Sequence, residues 1–125
     1  MTVIRSFFLA LAFVLALAAP PAGGARAAEG FVEGFDDLPL LPGLSPLKEE
    51  GLSFDKPAGR IVQAAARGAV STDAVRKFYR ETAPQLGWRL GDGEGRFVRD
   101  GETLRVEVRP DAAGQVIVRF SLSPE

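Results

Sequence analysis

Hydrophobic positions follow the period of an α-helix in one stretch of the chain, residues 75–88. Six residues that recur every three or four positions form an apolar stripe: Val75, Phe78, Tyr79, Thr82, Ala83 and Leu86. The opposite side of the stretch is mostly charged. Ser71 or Thr72 is the predicted N-cap, and Gly87 is the predicted left-handed residue that ends the helix. Trp88 then closes over the last helical turn.

After Trp88 the pattern changes to an alternation with a period of two, which predicts four short strands. Asp100-Gly101 is a strong hairpin signal, because both central residues of a type I′ turn need a positive φ. This turn pairs Arg99 with Glu102, Val98 with Thr103, Phe97 with Leu104 and Arg96 with Arg105. For the last strand we predict the pairs Val116 with Val108, Val118 with Val106 and Phe120 with Leu104.

One face of these four strands is apolar and is expected to receive the helix stripe. It carries Leu90, Phe97, Leu104, Val106, Val108, Val116, Val118 and Phe120. Before the helix, residues 52–55 and 60–67 predict a hairpin whose inward face is ambiguous. Pairing Phe54 with Ile61 turns Gln63 and Ala65 inward, whereas Val62, Ala64 and Ala66 form a more apolar set. The predicted fold is α+β, a two-layer sandwich of one main helix on an antiparallel sheet.

The N-terminal segment has the pattern of a secretory signal. Arg5 precedes an apolar run at residues 7–19, and Ala25-Arg26-Ala27 is an A-x-A cleavage site. The run is shorter than the 20 or so apolar residues of a membrane span, so we predict cleavage after Ala27 rather than a stable anchor. The sequence therefore divides into a signal peptide at residues 1–27, a leader at 28–50 and an α+β domain at 51–125.

The leader mixes acidic residues and prolines with many apolar side chains. Pro39, Pro42 and Pro46 disfavour a helix. We expect residues 35–44 to lie against the domain, because the leader has too many apolar residues for a purely solvated tail. A disordered acidic linker is the alternative.

Charge and composition exclude several classes of function. Removing residues 1–27 takes away two of the 15 basic residues and none of the 16 acidic ones, which leaves a net charge of about −3. Such a chain has no overall attraction to nucleic acid. The sequence has no cysteine and no histidine, so disulfides, Ser-His-Asp and Cys-His catalysis and the usual zinc sites are absent. No catalytic residue, cofactor or metal ligand is predicted, and Tyr79 is expected to pack in the core with its hydroxyl at the rim.

The other face of the sheet carries an unusual number of arginines. The predicted pairing aligns Arg96, Arg105 and Arg119 across three strands, with Arg89 and Arg109 nearby and Glu107 as the one offsetting acid. Guanidinium groups in such a row suit carboxylate or phosphate groups of a partner. The alternatives are a solvated face, or one that the leader covers through Asp36 and Asp37.

Several residues together resemble a group of small exported bacterial proteins of uncharacterised function. The likeness lies in Phe78-Tyr79, in Leu86-Gly87-Trp88 and in Phe97 with Arg99 on the following strands. Residues 34–39 and 54–61 are similar to that group as well. The resemblance implies an envelope location and an α+β domain, but no reaction, ligand or site residue.

These observations favour a soluble, non-catalytic interaction module that is periplasmic or secreted. Its partner would be an envelope protein or an anionic ligand. A small carrier that holds an apolar or anionic ligand between helix and sheet is the alternative, and it would need a cavity of a few hundred Å3. An enzyme is a more distant third, since the usual acid, base and nucleophile sets are missing.

Overall fold

A computed structural model describes residues 30–125, and the predicted signal peptide and the first two leader residues lie outside them. Within residues 30–125 the chain forms one α-helix and a seven-stranded antiparallel sheet. The strands are β1 (Leu44–Pro46), β2 (Leu52–Lys56), β3 (Gly59–Gly68), β4 (Arg89–Leu90), β5 (Arg96–Arg99), β6 (Glu102–Pro110) and β7 (Val116–Pro124), and the helix is α1 (Thr72–Gln85). Short 3-10 helices span Lys48–Glu50 and Ala112–Gly114. The predicted α+β fold is confirmed.

The sheet joins the predicted hairpin to the predicted meander. Its strand order is β1-β3-β7-β6-β5-β4, and β2 pairs with the other half of β3 on the same side as β1. The inward face of β3 carries Val62, Ala64 and Ala66, which are buried. Phe54 and Ile61 do pair, but on the outward face of the sheet. The more apolar of the two predicted sets is therefore the correct one.

Both ends of α1 follow the predicted capping signals. The Ser71 hydroxyl accepts a hydrogen bond from the Ala74 amide at 3.0 Å, which makes Ser71 the N-cap. Gly87 has φ +90°, a conformation that glycine adopts without steric cost. The Trp88 amide donates to the Ala83 carbonyl at 3.1 Å and closes a Schellman motif. The helix end thus fixes Trp88 over the core, where it is buried.

The pairing of β6 with β7 differs from the prediction by two residues. Val108 lies opposite Val118, Val106 opposite Phe120 and Leu104 opposite Leu122. The connection is shorter than predicted, because β6 runs on to Pro110, which pairs with Val116. The Asp111 amide donates to the Gln115 carbonyl at 2.7 Å, and Ala113 takes the left-handed φ of +64° that this tight turn requires. A shift of two residues keeps every side chain on its own face, so the apolar alternation is the same in both registers.

The leader packs into the core, which confirms the expectation for residues 35–44 and shows that the linker alternative is wrong. Its buried side chains are Val32, Phe35, Leu38 and Leu44. Phe35 meets Phe120 of β7 edge to face, with ring centroids 6.4 Å apart. β1 then extends the sheet from within the leader. The core is therefore bounded by the leader as well as by α1 and the sheet.

Tyr79 connects α1 to this leader. The side chain is fully buried, so its hydroxyl does not lie at the rim as predicted. The hydroxyl donates to the Pro39 carbonyl at 2.9 Å and accepts from the Leu41 amide at 3.2 Å. Burial raises the pKa of Tyr79 well above its usual value, and the hydrogen bond from Leu41 opposes this only in part. The hydroxyl is thus a neutral structural group.

Candidate interaction surface

The sheet face that points away from α1 carries mostly polar and charged residues. Alternation along each strand turns a separate set of residues to this outer face. They include Gln63 and Arg67 on β3, Arg96 on β5, Thr103, Arg105, Glu107 and Arg109 on β6, and Arg119, Ser121 and Ser123 on β7. α1 does not cover this face. The 3-10 helix Lys48–Glu50 lies over part of β3 and reaches Arg119, whereas Arg96 and Arg105 are exposed.

Arg96 and Arg105 lie directly opposite each other on β5 and β6, as predicted. Like charges in this position cost stability rather than add to it. The nearest carboxylate to Arg105 is that of Glu107, with the Nη1 and Oε1 atoms 3.9 Å apart. Among the described residues, no carboxylate forms an ion pair with Arg96. The two guanidinium groups form a weakly compensated positive pair.

Arg119 does not complete the row that the sequence predicts. With the observed register, Arg119 faces Glu107, and Ser121 takes the position opposite Arg105. Arg119 also forms an ion pair with Glu50, with Nη1 and Oε2 3.0 Å apart. The prediction of three aligned arginines is therefore wrong, for the same reason that the β6–β7 register is wrong. Arg119 lies diagonal to Arg105 and is largely neutralised.

Arg89 and Arg109 lie at opposite ends of the sheet and do not belong to one site. Arg89 pairs with Val98, next to Thr103 near the start of β6, whereas Arg109 pairs with Ile117 near its end. Arg109 is six positions along β6 from Thr103, which corresponds to about 20 Å. Arg89 lies diagonal to Arg96, just as Arg119 lies diagonal to Arg105, so of the five predicted arginines only Arg109 is well separated from the Arg96–Arg105 pair.

The leader reaches the outer face through a different acid from the predicted ones. Asp37 binds Arg99, which lies on the inner face, with the carboxylate and Nη1 2.7 Å apart. Asp36 is exposed and makes no ion pair among the described residues. Glu50, in the 3-10 helix before β2, is the leader residue that approaches the arginines of the outer face. It covers Arg119 and leaves the Arg96–Arg105 pair open.

Two shallow depressions adjoin on this surface, with volumes of about 280 and 250 Å3. Arg105 and Ser121 border both of them. One is also lined by Glu50, Gln63, Glu107 and Arg119, and the other by Arg96, Thr103, Ser123 and Glu125. Guanidinium and hydroxyl donors in one place suit carboxylate or phosphate oxygens.

An apolar edge that the sequence analysis missed borders the same face. Leu52 and Phe54 on β2 are 49% and 39% exposed. β2 pairs only with β3, so its other edge is free of strand partners within the described residues. The alternation of residues could have indicated this apolar edge. Phe54 pairs with Ile61, and Ile61 lies on the face of β3 opposite to its apolar residues. The outer face therefore combines a positive centre with an apolar border.

Arg99 is the other residue whose role the sequence analysis missed. It shares the phase of Phe97 on β5, so its side chain points to the inner face. The guanidinium lies 4.2 Å from the Trp88 ring centroid and donates to the Leu86 carbonyl at 2.8 Å. With its ion pair to Asp37, Arg99 joins the leader, the end of α1 and β5. This arginine is structural, whereas Arg96 on the same strand faces solvent.

The remaining features lie outside the interaction surface. The glycine-rich residues 91–95 form the loop between β4 and β5. Within residues 30–125, no three acidic residues come together in a way that could hold a metal ion, and no helix is long and apolar enough to cross a membrane. Leu90, predicted on the inner face, pairs with Phe97 of that face but is 64% exposed.

Comparison of the chain with protein-family models, with curated proteins and with solved structures gives no match in any of the three. The resemblance to small exported proteins stays a prediction.

Proposed function

We propose that this chain is an exported, non-catalytic interaction module that binds an acidic envelope protein through its outer sheet face. The Arg96–Arg105 pair is the observation on which the proposal depends. Two like charges that face each other on an uncovered sheet lower stability slightly, and a partner carboxylate between them would reverse that cost. Ser121, which lies opposite Arg105, supplies a hydroxyl group beside the pair. The apolar border at Leu52 and Phe54 adds area that a protein partner can bury.

The location part of the proposal depends on residues 1–27. Their basic start, apolar run and A-x-A site support export and cleavage. N-terminal sequencing of the protein recovered from the cell envelope or medium tests this directly. A mature chain that begins at residue 28 is expected, and a chain that retains residues 7–19 would contradict export by cleavage.

Partner capture in intact cells tests the binding surface. Chemical crosslinking of the wild type should yield a partner, which is then identified and purified. The double variant R96E/R105E should lose that complex, because both positive groups become negative. R109E is the matched control, since Arg109 lies on the same face, four residues and about 13 Å along β6 from Arg105. Equal capture by wild type and R96E/R105E would contradict the proposal.

The purified pair gives a second measurement that does not depend on crosslinking. Binding should weaken as salt rises, since the contacts are between exposed charges. R105E/R119E should weaken binding less than R96E/R105E, because Arg119 is already paired with Glu50. A salt-independent affinity would show that the apolar border rather than the arginine pair holds the partner.

The carrier alternative has less support. The cavity between α1 and the sheet has a volume of about 140 Å3, below the few hundred Å3 that a carried ligand of ordinary size requires. Its walls are apolar, and Arg76 and Arg80 line it on the helix side.

A further inference from the structure

An apolar cavity lies between α1 and the strands β5 and β6, on the side of the sheet opposite the arginine pair. Its volume is about 140 Å3. Phe97, Val106 and Val108 form the floor on the sheet, and Tyr79 forms the wall on the helix. Leu90 borders the opening and is largely exposed. The cavity is therefore an unfilled part of the interface between helix and sheet.

The side chains of α1 explain why this volume is empty. Arg76 and Arg80 are one turn apart on the side of the helix that faces β4, where an aliphatic residue would fill the space. Their charged ends extend to the rim. Val108 consequently stays only partly buried although it lies on the inner face. The helix thus supplies positive charge at the rim where the core lacks packing.

The loop that closes the cavity is held firmly. The Val106 amide donates to the Gly95 carbonyl at 2.7 Å, and the Gly91 amide donates to the Arg96 carbonyl at 2.8 Å. Gly95 has φ +73°, and a Cβ there would come within 2.4 Å of the Val106 carbonyl oxygen. Only glycine allows this approach. The cavity is therefore preformed rather than dependent on loop closure.

Two arginines, Arg76 and Arg80, and one acid, Glu94, are the charged residues that line the cavity. Arg76 Nε lies 3.5 Å from Glu94 Oε1, an exposed carboxylate, while its Nη1 lies 3.8 Å from Asp73. Among the described residues, no carboxylate forms an ion pair with Arg80. The Tyr79 hydroxyl is committed to the leader and is not available to a ligand. Polar recognition at this cavity must therefore come from the two guanidinium groups.

We propose that this cavity binds a small monocarboxylate with one aromatic or aliphatic ring. The ring lies on Phe97, Val106 and Val108, and the carboxylate receives hydrogen bonds from Arg80 and Arg76. The size fits, because an apolar cavity of about 150 Å3 in another protein holds one benzene molecule. The site goes beyond the proposed protein interaction and uses none of its residues, so either proposal can fail without the other.

Benzoate is the probe that tests the site. The protein is produced from its full-length sequence, purified and titrated while its amide NMR spectrum is recorded. Benzoate should bind with a Kd of about 1 mM or below and shift the resonances of β5, β6 and the first turns of α1. Benzyl alcohol has the ring without the charge and acetate has the charge without the ring, so both should bind more weakly. No saturable shift with benzoate would overturn the proposal.

Variants locate the site. V108F should abolish binding by filling the cavity from its partly exposed border, and its thermal unfolding shows whether the fold is kept. R80Q should weaken binding about tenfold, and E94Q should strengthen it because Glu94 competes for Arg76. R109Q, on the outer face, is the matched control and should bind as the wild type does. Unchanged binding by R80Q would contradict the proposal even if V108F does not fold.

Two further results would overturn the proposal in a defined way. Benzoate shifts that cluster around Arg96 and Arg105 would assign the anion to the outer face. Binding of an acidic peptide with a phenylalanine, without binding of benzoate, would show that the cavity receives the side chain of a protein partner.

Discussion

Two neighbouring residue pairs on β5 and β6 represent the two faces of the sheet. Phe97 and Leu104 pair on the inner face and are buried, whereas Arg96 and Arg105 pair on the outer face and are exposed. The inner pair removes apolar area from water and stabilises the fold. The outer pair opposes two like charges and does not. Folding therefore explains the residues of the inner face, while the arginine pair needs another explanation, for which we propose a binding partner.

Arg96 and Arg99 on the same strand extend this comparison to a single residue type. Arg99 points inward and lies against Trp88 and Asp37, whereas Arg96 points outward. Their positions in the alternation separate a structural arginine from one available for binding. Substitutions on the inner face should therefore lower the free energy of unfolding more than substitutions on the outer face.

Replacing Trp88 by alanine should have the largest effect. The side chain is 3% exposed, and its loss leaves a cavity beneath the end of α1. We expect a loss of about 3–5 kcal/mol in the free energy of unfolding, measured by denaturant titration. The indole Nε1 is buried without a hydrogen-bond partner among the described residues, so the loss comes from apolar burial and from the contact with Arg99 rather than from a hydrogen bond. L90A is the control and should change stability little, because Leu90 is exposed. A W88A variant as stable as the wild type would show that the indole does not belong to the core.

Sequence patterns predicted most of the inner face, apart from the ambiguous side of β3, the exposed Leu90 and the inward Arg99, and they were insufficient for the outer face. Burial of apolar side chains specifies which residues face inward, and alternation records this directly. The register of β6 and β7 is a different matter, since a shift of two residues leaves the inner face apolar in both cases. On the outer face the same shift replaces Arg119 by Ser121 opposite Arg105. The sequence therefore predicted the pairing of Arg96 with Arg105 at the centre of the candidate site correctly, but it predicted the extent of the site wrongly.

The sequence patterns also did not predict the ion pairs between distant parts of the chain. Glu50 and Arg119 are far apart in sequence, as are Asp37 and Arg99. No local signal indicates which acid meets which arginine, because this depends on the path of the leader over the finished sheet. Apolar content predicted that the leader packs, but not where it packs.

Replacing Arg99 by methionine should have the next largest effect. The variant loses the ion pair with Asp37, the hydrogen bond to the Leu86 carbonyl and the contact with the Trp88 ring. Asp37 is partly exposed and can be hydrated, so we expect a loss of about 2 kcal/mol. R119M is the control on the outer face. It removes one exposed ion pair, with Glu50, and should cost no more than about 1 kcal/mol. Equal effects of R99M and R119M would contradict the distinction between the two faces.

Replacing Tyr79 by phenylalanine should have the smallest effect of the three, and one that depends on pH. At neutral pH the variant leaves the Pro39 carbonyl and the Leu41 amide without their partner, which should cost about 1–2 kcal/mol. The benzyl ring keeps its packing against Phe120, whose centroid lies 5.2 Å away.

The raised pKa of Tyr79 sets the direction of the pH dependence. The unfolded chain releases the phenolic proton above about pH 10, whereas burial makes the folded chain retain it. The tyrosine contribution is therefore complete below about pH 10 and decreases as the pH rises further. The stability difference between wild type and Y79F should shrink in that range, because only the wild type has a tyrosine to titrate. Denaturant titrations at neutral pH and above pH 10 measure this difference. A difference that stays constant with pH would show that the hydroxyl is hydrated and that the leader is not fixed through Tyr79.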